Sequence, residues 1–107
     1  MTFTIYHNNN CSKSRACIKL LEQQKVAYIV REYLKVPLLF REIEHLIKYF
    51  EGDVKTLLRI PIPKLEQSEL VKFVYDNQKL LERPIAFNGK KYSVCRPPTN
   101  CLEMLND

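Results

Sequence analysis

The segment IYHNNNCSKSR, residues 5–15, joins an apolar start typical of a strand to a turn of three asparagines, a cysteine and a helical pattern. A thiol at such a turn lies close to the unpaired N–H groups of the helix's first turn and to the positive end of the helix dipole. Both favour the thiolate over the thiol. Because the same N–H groups can hold an anion, we predict that Cys11 is a nucleophile beside an oxyanion site.

Hydrophobic periodicity around this segment predicts a strand, a helix and a second strand. The first strand covers residues 3–6 and the helix residues 12 to about 24. Residues 26–33, rich in β-branched and aromatic side chains, form the second strand. Two strands separated by a helix of this length predict a βαβ unit with parallel strands.

The middle of the chain changes to helical periodicity. Four apolar residues lie at the spacing of one helix face: Ile43, Leu46, Ile47 and Phe50. We expect Gly52 to end this helix and Asp53 to cap a short one over residues 54–59. A third helix is predicted over about residues 66–76. Together these segments predict a helical insert over about residues 38–80.

The last third returns to strands. Residues 85–87 and 92–94 flank Asn88-Gly89, a dipeptide suited to the backbone angles of a hairpin, and a terminal helix is predicted over about residues 99–105. The element order predicts an α/β, thioredoxin-like three-layer fold with a mixed four-stranded sheet. Its helical insert separates a βαβ half from a ββα half, and we expect one domain over residues 1–107.

Charge and hydropathy exclude several classes of function. The chain has 17 Lys and Arg residues and a formal charge of +5, but no run of like charge interleaved with aromatic residues, so we expect no nucleic-acid partner. No apolar run approaches membrane-spanning length, and the first residues lack a leader pattern. We therefore expect no membrane association and a cytoplasmic location.

The four cysteines, Cys11, Cys17, Cys95 and Cys101, form two pairs whose members are six residues apart. This spacing is too wide for a usual zinc site, so no metal is expected, and the thiols should be reduced. Cys17 and Cys101 are expected to be buried and inert. Cys95 can be a core residue or an accessory thiol.

The sequence favours an external thiol as the partner of Cys11. Position 14 is Ser14, so a Cys-x-x-Cys disulfide is impossible. Six residues of helix would separate Cys11 from Cys17 by about 9 Å, beyond the roughly 7 Å between Cα atoms that a disulfide tolerates.

Six short motifs, in this order, resemble the ArsC family of small glutaredoxin-linked arsenate reductases and their relatives. They are IYHN (5–8) before Cys11, Cys11-x-x-x-Arg15, EYLK (32–35) ahead of Pro37, LLR (57–59), RPI (83–85) and CRPP (95–98). The resemblance covers nearly the whole chain.

The resemblance implies an oxyanion site around Cys11. In this site Arg59, Arg83 and Arg96 converge on the thiol. Arginine suits the binding of an oxyanion because its planar guanidinium donates two parallel hydrogen bonds and stays charged. Pro84 resembles the family's cis-proline beside the thiol.

Residues near Cys11 in sequence are further candidates for the same site. Ser12 and Ser14 can act as helix-capping or first-turn residues or as anion donors, and Arg15 adds positive charge. His7 can tune the Cys11 proton or merely end the strand.

The resemblance implies the activity of an arsenate reductase. The Cys11 thiolate attacks arsenate, glutathione acts as co-substrate and is captured as a mixed disulfide, and glutaredoxin releases it. No bound cofactor is implied, and a monomer is expected. Two alternatives stay open. One is a glutathione-dependent thiol reductase of the same family, and the other is an Spx-like redox regulator that binds RNA polymerase.

Overall fold

A four-stranded mixed sheet forms the centre of the fold, which the computed structural model describes over residues 2–106. Its strands are β1 (Thr2–Tyr6), β2 (Ala27–Arg31), β3 (Ile85–Phe87) and β4 (Tyr92–Val94), in the spatial order β2-β1-β3-β4. Strand β1 pairs parallel with β2 and antiparallel with β3, and β3 pairs antiparallel with β4. The predicted mixed sheet is therefore confirmed.

Helices lie between and after these strands. They are α1 (Ser12–Gln23), α2 (Phe40–Lys48), α3 (Gln67–Asp76) and α4 (Asn100–Glu103), with 3-10 turns at Val54–Thr56, Gln78–Leu80 and Met104–Asn106. Helices α2 and α3 come between β2 and β3, where the helical insert is predicted. Within residues 2–106 no helix combines the length and apolar composition that crossing a bilayer requires.

Two apolar clusters pack against the sheet because successive side chains of a strand point to opposite faces. Phe3 and Ile5 of β1 lie in a cluster with residues of α1 and α4, whereas Tyr6 lies in a larger cluster with residues of α2 and α3. The same alternation puts Ala86 in the first cluster and Ile85 in the second. The fold thus has three layers, with α1 and α4 on one face of the sheet and the insert on the other.

Helix α2 ends earlier than predicted, at Lys48 instead of Gly52. The chain after it pairs with β4: the Tyr92 backbone N donates to Tyr49 O at 2.9 Å, and the Glu51 N donates to Tyr92 O at 2.8 Å. These sheet-like hydrogen bonds compete with the helix. Gly52, with a φ of +106°, instead turns the chain after this segment.

The predicted helix over residues 54–59 is also wrong in length. Asp53 does cap it, since its side chain accepts a hydrogen bond from Lys55 N at 2.9 Å, but only the single turn Val54–Thr56 forms. Leu58 then makes an antiparallel bridge with Leu81. Arg59 consequently lies on an extended segment, where its backbone N donates to Leu80 O at 2.8 Å.

The predicted hairpin between β3 and β4 is present. Asn88 is almost fully buried, and its side-chain oxygen accepts hydrogen bonds from the backbone N of Lys90 at 2.9 Å and of Lys91 at 3.0 Å. Gly89 has a φ of +96°, an angle that favours glycine. The hairpin brings the chain after β4 back alongside β3, because Cys95 N donates to Pro84 O at 2.9 Å.

Candidate active site

Cys11 lies where the loop after β1 becomes helix α1. It is the N-cap of α1, with an extended backbone at φ −100° and ψ 119°. The N–H groups of a helix's first turn have no partner inside the helix, so they can face a thiolate or an anion. Cys11 therefore has the position at the helix start that the sequence predicts.

The environment of the Cys11 thiol favours its ionised form. Burial would raise its pKa, but the backbone of Ser14, the Arg83 side chain, the backbone of Lys13 and the Ser14 hydroxyl all form hydrogen bonds that lower it, to about 7. A substantial fraction of the thiol is therefore ionised at neutral pH. The ionised sulfur is the nucleophile in thiol chemistry.

Hydrogen bonds tie the asparagine loop to α1 and fix the position of Cys11. The Cys11 backbone N donates to Asn8 O at 2.9 Å, and the Asn8 backbone N donates to the Ser14 hydroxyl at 3.4 Å. Arg15 Nη1 donates to Asn9 O at 2.7 Å. Ser14 is fully buried and serves both the loop and the thiol, whereas the Arg15 guanidinium holds the loop.

Arg83 is the distant arginine that the fold brings to the thiol, with a side chain that hydrogen-bonds to Cys11. Its Nε is buried and, among the described residues, has no hydrogen-bond partner. Its peptide bond to Pro84 is cis, as the resemblance implies, and so is the bond between Arg96 and Pro97. The sequence did not single out the second cis bond.

The Arg96 side chain supports Arg83 by a hydrogen bond to the Arg83 backbone. Arg96 Nε donates to the Arg83 carbonyl at 2.8 Å and lies 3.7 Å from a carboxylate oxygen of Glu82. The side chain is about one-third exposed. Arg96 therefore lies next to Arg83, and its Nε interacts with the Arg83 carbonyl and with Glu82.

Arg59 is exposed and lies beside the segment that leads to β3. Its Nη2 makes a long hydrogen bond, 3.4 Å, to the carbonyl of Lys79. Arg59 and Arg83 both influence one group, the buried phenol of Tyr33, whose pKa is raised by burial and lowered by the charges of the two arginines. The convergence of all three arginines on one anion remains a prediction, with Arg83 as the member that contacts the thiol.

Tyr33 is a buried residue near Cys11 for which the sequence analysis predicted no role. It lies just after β2, is 2% exposed and, within residues 2–106, its hydroxyl has no hydrogen-bond partner. The sequence analysis assigned it to the end of a strand and to the motif EYLK, without a role of its own. One signal could have found it: β1 and β2 are parallel, so the residues that follow them, Cys11 and Tyr33, come to the same edge of the sheet.

His7 and Ser12 differ in burial. His7 is buried, its backbone N donates to Arg31 O at 3.0 Å, and its Nδ1 has no partner in the described part of the chain. Ser12 is the exposed first residue of α1. The tuning role of His7 and the anion-donor role of Ser12 remain predictions.

The other three cysteines lie in the apolar cluster between α1, α4 and the sheet, and each is 0% exposed. Cys17 and Cys101 are thus buried as expected. Cys95, which the sequence left open, is a core residue whose sulfur is 3.9 Å from that of Met104. None of the four thiols is bridged, and residues 2–106 contain no cluster of three or more histidine, cysteine or carboxylate side chains arranged to hold a metal ion.

A single activated thiol at the start of the first helix, on a sheet built from a βαβ half and a ββα half, defines a thioredoxin-like thiol protein. The chain belongs to the ArsC family, whose model matches residues 6–104.

Individual relatives agree with this assignment. The chain is 34% identical to an arsenate reductase of Haemophilus influenzae, over 98% of this chain and all of the relative. It is 32% identical to YfgD of Escherichia coli, described as uncharacterized, over 94% of each protein. The solved structure of an arsenate reductase from Vibrio cholerae superposes with a TM-score of 0.84 at 30% identity, covering 97% of this chain and 98% of that one.

Proposed function

We propose that this protein is an arsenate reductase whose nucleophile is Cys11. The observation that carries the proposal is the Cys11 thiol itself: it lies at the N-terminus of α1, has a pKa lowered to about 7, and accepts hydrogen bonds from Arg83 and Ser14. Arsenate carries about two negative charges near neutral pH. A site for it needs a thiolate and fixed positive charge, and Cys11 and Arg83 supply both.

The first step forms a bond between sulfur and arsenic. The Cys11 thiolate attacks arsenic(V), and one arsenate oxygen takes up protons and leaves as water. Arg83 donates hydrogen bonds to the remaining oxygens, and the helix N-terminus neutralises part of their charge. Arg59, which is exposed and only weakly bonded to Lys79, can turn toward the anion. Arg96 holds the Arg83 backbone in place.

The second step reduces the metalloid and needs an outside thiol. Glutathione attacks the Cys11 sulfur, the electron pair of the S–As bond passes to arsenic, and arsenite leaves. Cys11 is then a mixed disulfide with glutathione, which a glutaredoxin thiolate attacks to release Cys11. Within the chain, Cys17, Cys95 and Cys101 are fully buried, which supports an external donor.

Two further parts of the proposal concern the location and the oligomeric state of the protein. A monothiol that glutathione resets functions in a reducing compartment, so we assign the protein to the cytoplasm. We also expect it to act as a monomer, because the thiol, Arg83 and the helix N-terminus all come from one chain.

A coupled assay tests the proposal. NADPH consumption is measured with glutathione, glutathione reductase and glutaredoxin, with and without arsenate. We expect arsenate-dependent turnover that requires both glutathione and glutaredoxin. Wild-type protein that consumes no more NADPH with arsenate than without it would refute the proposed activity.

A second candidate is a glutathione-dependent thiol reductase with little action on arsenate. It is favoured by the position of Arg59, which is exposed and bonded to a backbone carbonyl, so that Arg83 is the one of the three predicted arginines that contacts the thiol. The same assay without glutaredoxin separates the two candidates when a low-molecular-weight mixed disulfide of glutathione replaces arsenate and the rate without this protein is subtracted. Turnover with the disulfide alone would identify the thiol reductase.

A further inference from the structure

The Tyr33 hydroxyl is a buried hydrogen-bond donor with no use in the fold. The residue is 2% exposed and, among residues 2–106, its hydroxyl oxygen has no hydrogen-bond partner. Buried polar side-chain atoms nearly always have a partner, and an unsatisfied one destabilises the protein. A phenylalanine would fill the same space without this cost. The hydroxyl is therefore available to donate a hydrogen bond to a group outside the described residues.

The surroundings of the hydroxyl show what kind of partner fits. The positive charges of Arg83 and Arg59 and the negative charge of the Cys11 thiolate are close enough to shift the Tyr33 pKa in opposite directions. None of these groups is within hydrogen-bond distance of the hydroxyl. The phenol thus lies near two arginines, the Cys11 thiolate and the Glu82 carboxylate, and its hydroxyl is bonded to none of them.

A second unsatisfied donor belongs to one of these arginines. Arg83 hydrogen-bonds to the Cys11 sulfur, yet its buried Nε has no partner in the described part of the chain. Tyr33 also lines a cavity of about 520 Å³ together with Lys79 and Leu80, the residues whose carbonyls hold Arg59. Two buried donors, the neutral Tyr33 hydroxyl and the charged Arg83 Nε, are therefore unpaired among residues 2–106, and both belong to groups that interact with Cys11.

We propose that the Tyr33 hydroxyl is an oxyanion-binding group that donates a hydrogen bond to an oxygen of the anion attached to Cys11, alongside Arg83. A neutral donor complements arginine because it can bond an oxygen that still carries a proton or has lost its charge. The inference rests on the proposed function for the identity of the anion, and its geometry concerns any tetrahedral oxyanion at Cys11.

The test compares Tyr33→Phe with the matched control Tyr92→Phe. Both tyrosines are buried, but the Tyr92 hydroxyl is 2.7 Å from His45 Nδ1, so its bond is made inside the protein. Cys11 is alkylated with iodoacetamide at pH 7 over a range of arsenate concentrations, and modification is mapped by mass spectrometry. Thermal unfolding of each variant is measured in parallel.

We expect Tyr33→Phe to raise the half-protecting arsenate concentration about tenfold, the effect of one hydrogen bond to a charged group. Its alkylation rate without arsenate should stay within about twofold of wild type, and its Tm should be equal or higher. Tyr92→Phe should lower the Tm and leave protection unchanged. Equal protection in Tyr33→Phe and wild type, or a lower Tm in Tyr33→Phe, would overturn the inference.

The protection assay also separates this inference from the proposed function. If arsenate protects Cys11 but supports no turnover in the coupled assay, the reductase proposal fails, and the ratio of half-protecting concentrations still decides the role of Tyr33. If arsenate does not protect wild-type Cys11 at all, both proposals fail.

Discussion

Cys11 and the cluster of Cys17, Cys95 and Cys101 place the same side chain in two opposite environments. Cys11 lies at a helix N-terminus under a polar loop, and its pKa is lowered to about 7 because the hydrogen bonds from Ser14, Arg83 and Lys13 outweigh burial. For Cys17, the Cys101 thiol lowers the pKa, but the Cys95 thiol and burial raise it to about 12. The pKa of Cys101 is also raised, by its hydrogen bond with Cys17 and by burial.

The difference shows that donors and solvation decide which cysteine reacts. Cys11 caps the helix on which Cys17 lies, and both side chains are buried. Backbone and guanidinium donors stabilise the thiolate at Cys11, whereas thiols and apolar side chains surround Cys17 and stabilise the neutral form. The first thiol is suited to attack and the others to packing.

The largest expected effect comes from replacing the sulfur with oxygen, at Cys11 in one region and at Cys17 in the other. Cys11→Ser should lower arsenate turnover in the coupled assay by at least about 1000-fold, because a hydroxyl at this position is not ionised. At pH 6.5 its free energy of unfolding should stay within about 1 kcal/mol of wild type. Cys17→Ser should keep turnover and lose roughly 1–3 kcal/mol of stability, because it buries an unsatisfied hydroxyl. Loss of turnover in Cys17→Ser with an intact fold would contradict the separation of roles.

The next effect concerns the charge at the thiol. Arg83→Gln should raise the alkylation midpoint of Cys11 by roughly one pH unit and lower kcat/KM for arsenate about 10- to 100-fold, because a neutral donor replaces a charged one. Arg83→Lys should keep most of the pKa shift and lose most of the arsenate affinity, since lysine lacks the planar guanidinium. Equal kcat/KM in both variants and wild type would remove Arg83 from the site.

The contributions of Cys11 and Cys17 to the free energy of unfolding should change with pH in opposite directions. The folded pKa of Cys11, about 7, is below its unfolded value of about 8.5, so its contribution is present above pH 8.5 and lost as pH falls through 7. The folded pKa of Cys17, about 12, is above the unfolded value. Stability from this thiol therefore falls as pH rises above about 8.5.

Urea unfolding of wild type, Cys11→Ser and Cys17→Ala between pH 6 and 10 measures both slopes. The stability of wild type relative to Cys11→Ser should increase by roughly 1–2 kcal/mol from pH 6.5 to 9. Relative to Cys17→Ala it should decrease above pH 8.5. Two slopes of the same sign would show that the two thiols do not differ as described.

The smallest effect concerns the Ser14 hydroxyl. Ser14→Ala removes one donor to the Cys11 sulfur and keeps the backbone N–H that also contacts it. We expect the alkylation midpoint of Cys11 to rise by a few tenths of a pH unit, with turnover reduced less than fivefold. Exposed Ser12→Ala is the matched control on the same helix turn and should leave the midpoint unchanged.

Local patterns sufficed for the element order and for the position of Cys11. The βα start, the Asn88-Gly89 hairpin and the Asp53 cap all depend on residues near one another in sequence, and each is present. The errors came from long-range pairing. Helix α2 stops before Gly52 because residues 49–51 pair with Tyr92, and Arg59 leaves its helix because Leu58 pairs with Leu81.

Only the part of the site that depends on residues close in sequence could be predicted. The helix start determines the environment of Cys11, so local sequence was informative, and the arginines were found only through a family resemblance. Tyr33, although part of the EYLK motif, was given no role because an aromatic residue at the end of a strand is usually a core residue. The parallel pairing of β1 and β2, which brings it to the edge where Cys11 lies, is a tertiary fact.

The most direct test of the contrast between the two regions is the pH dependence of alkylation at each cysteine of the folded wild-type protein, mapped by mass spectrometry. We expect Cys11 to react with a midpoint near pH 7, and Cys17, Cys95 and Cys101 to stay unmodified until the protein unfolds. A Cys11 midpoint at or above about 8.5, the value of an unperturbed thiol, or modification of Cys17 before Cys11, would contradict the account.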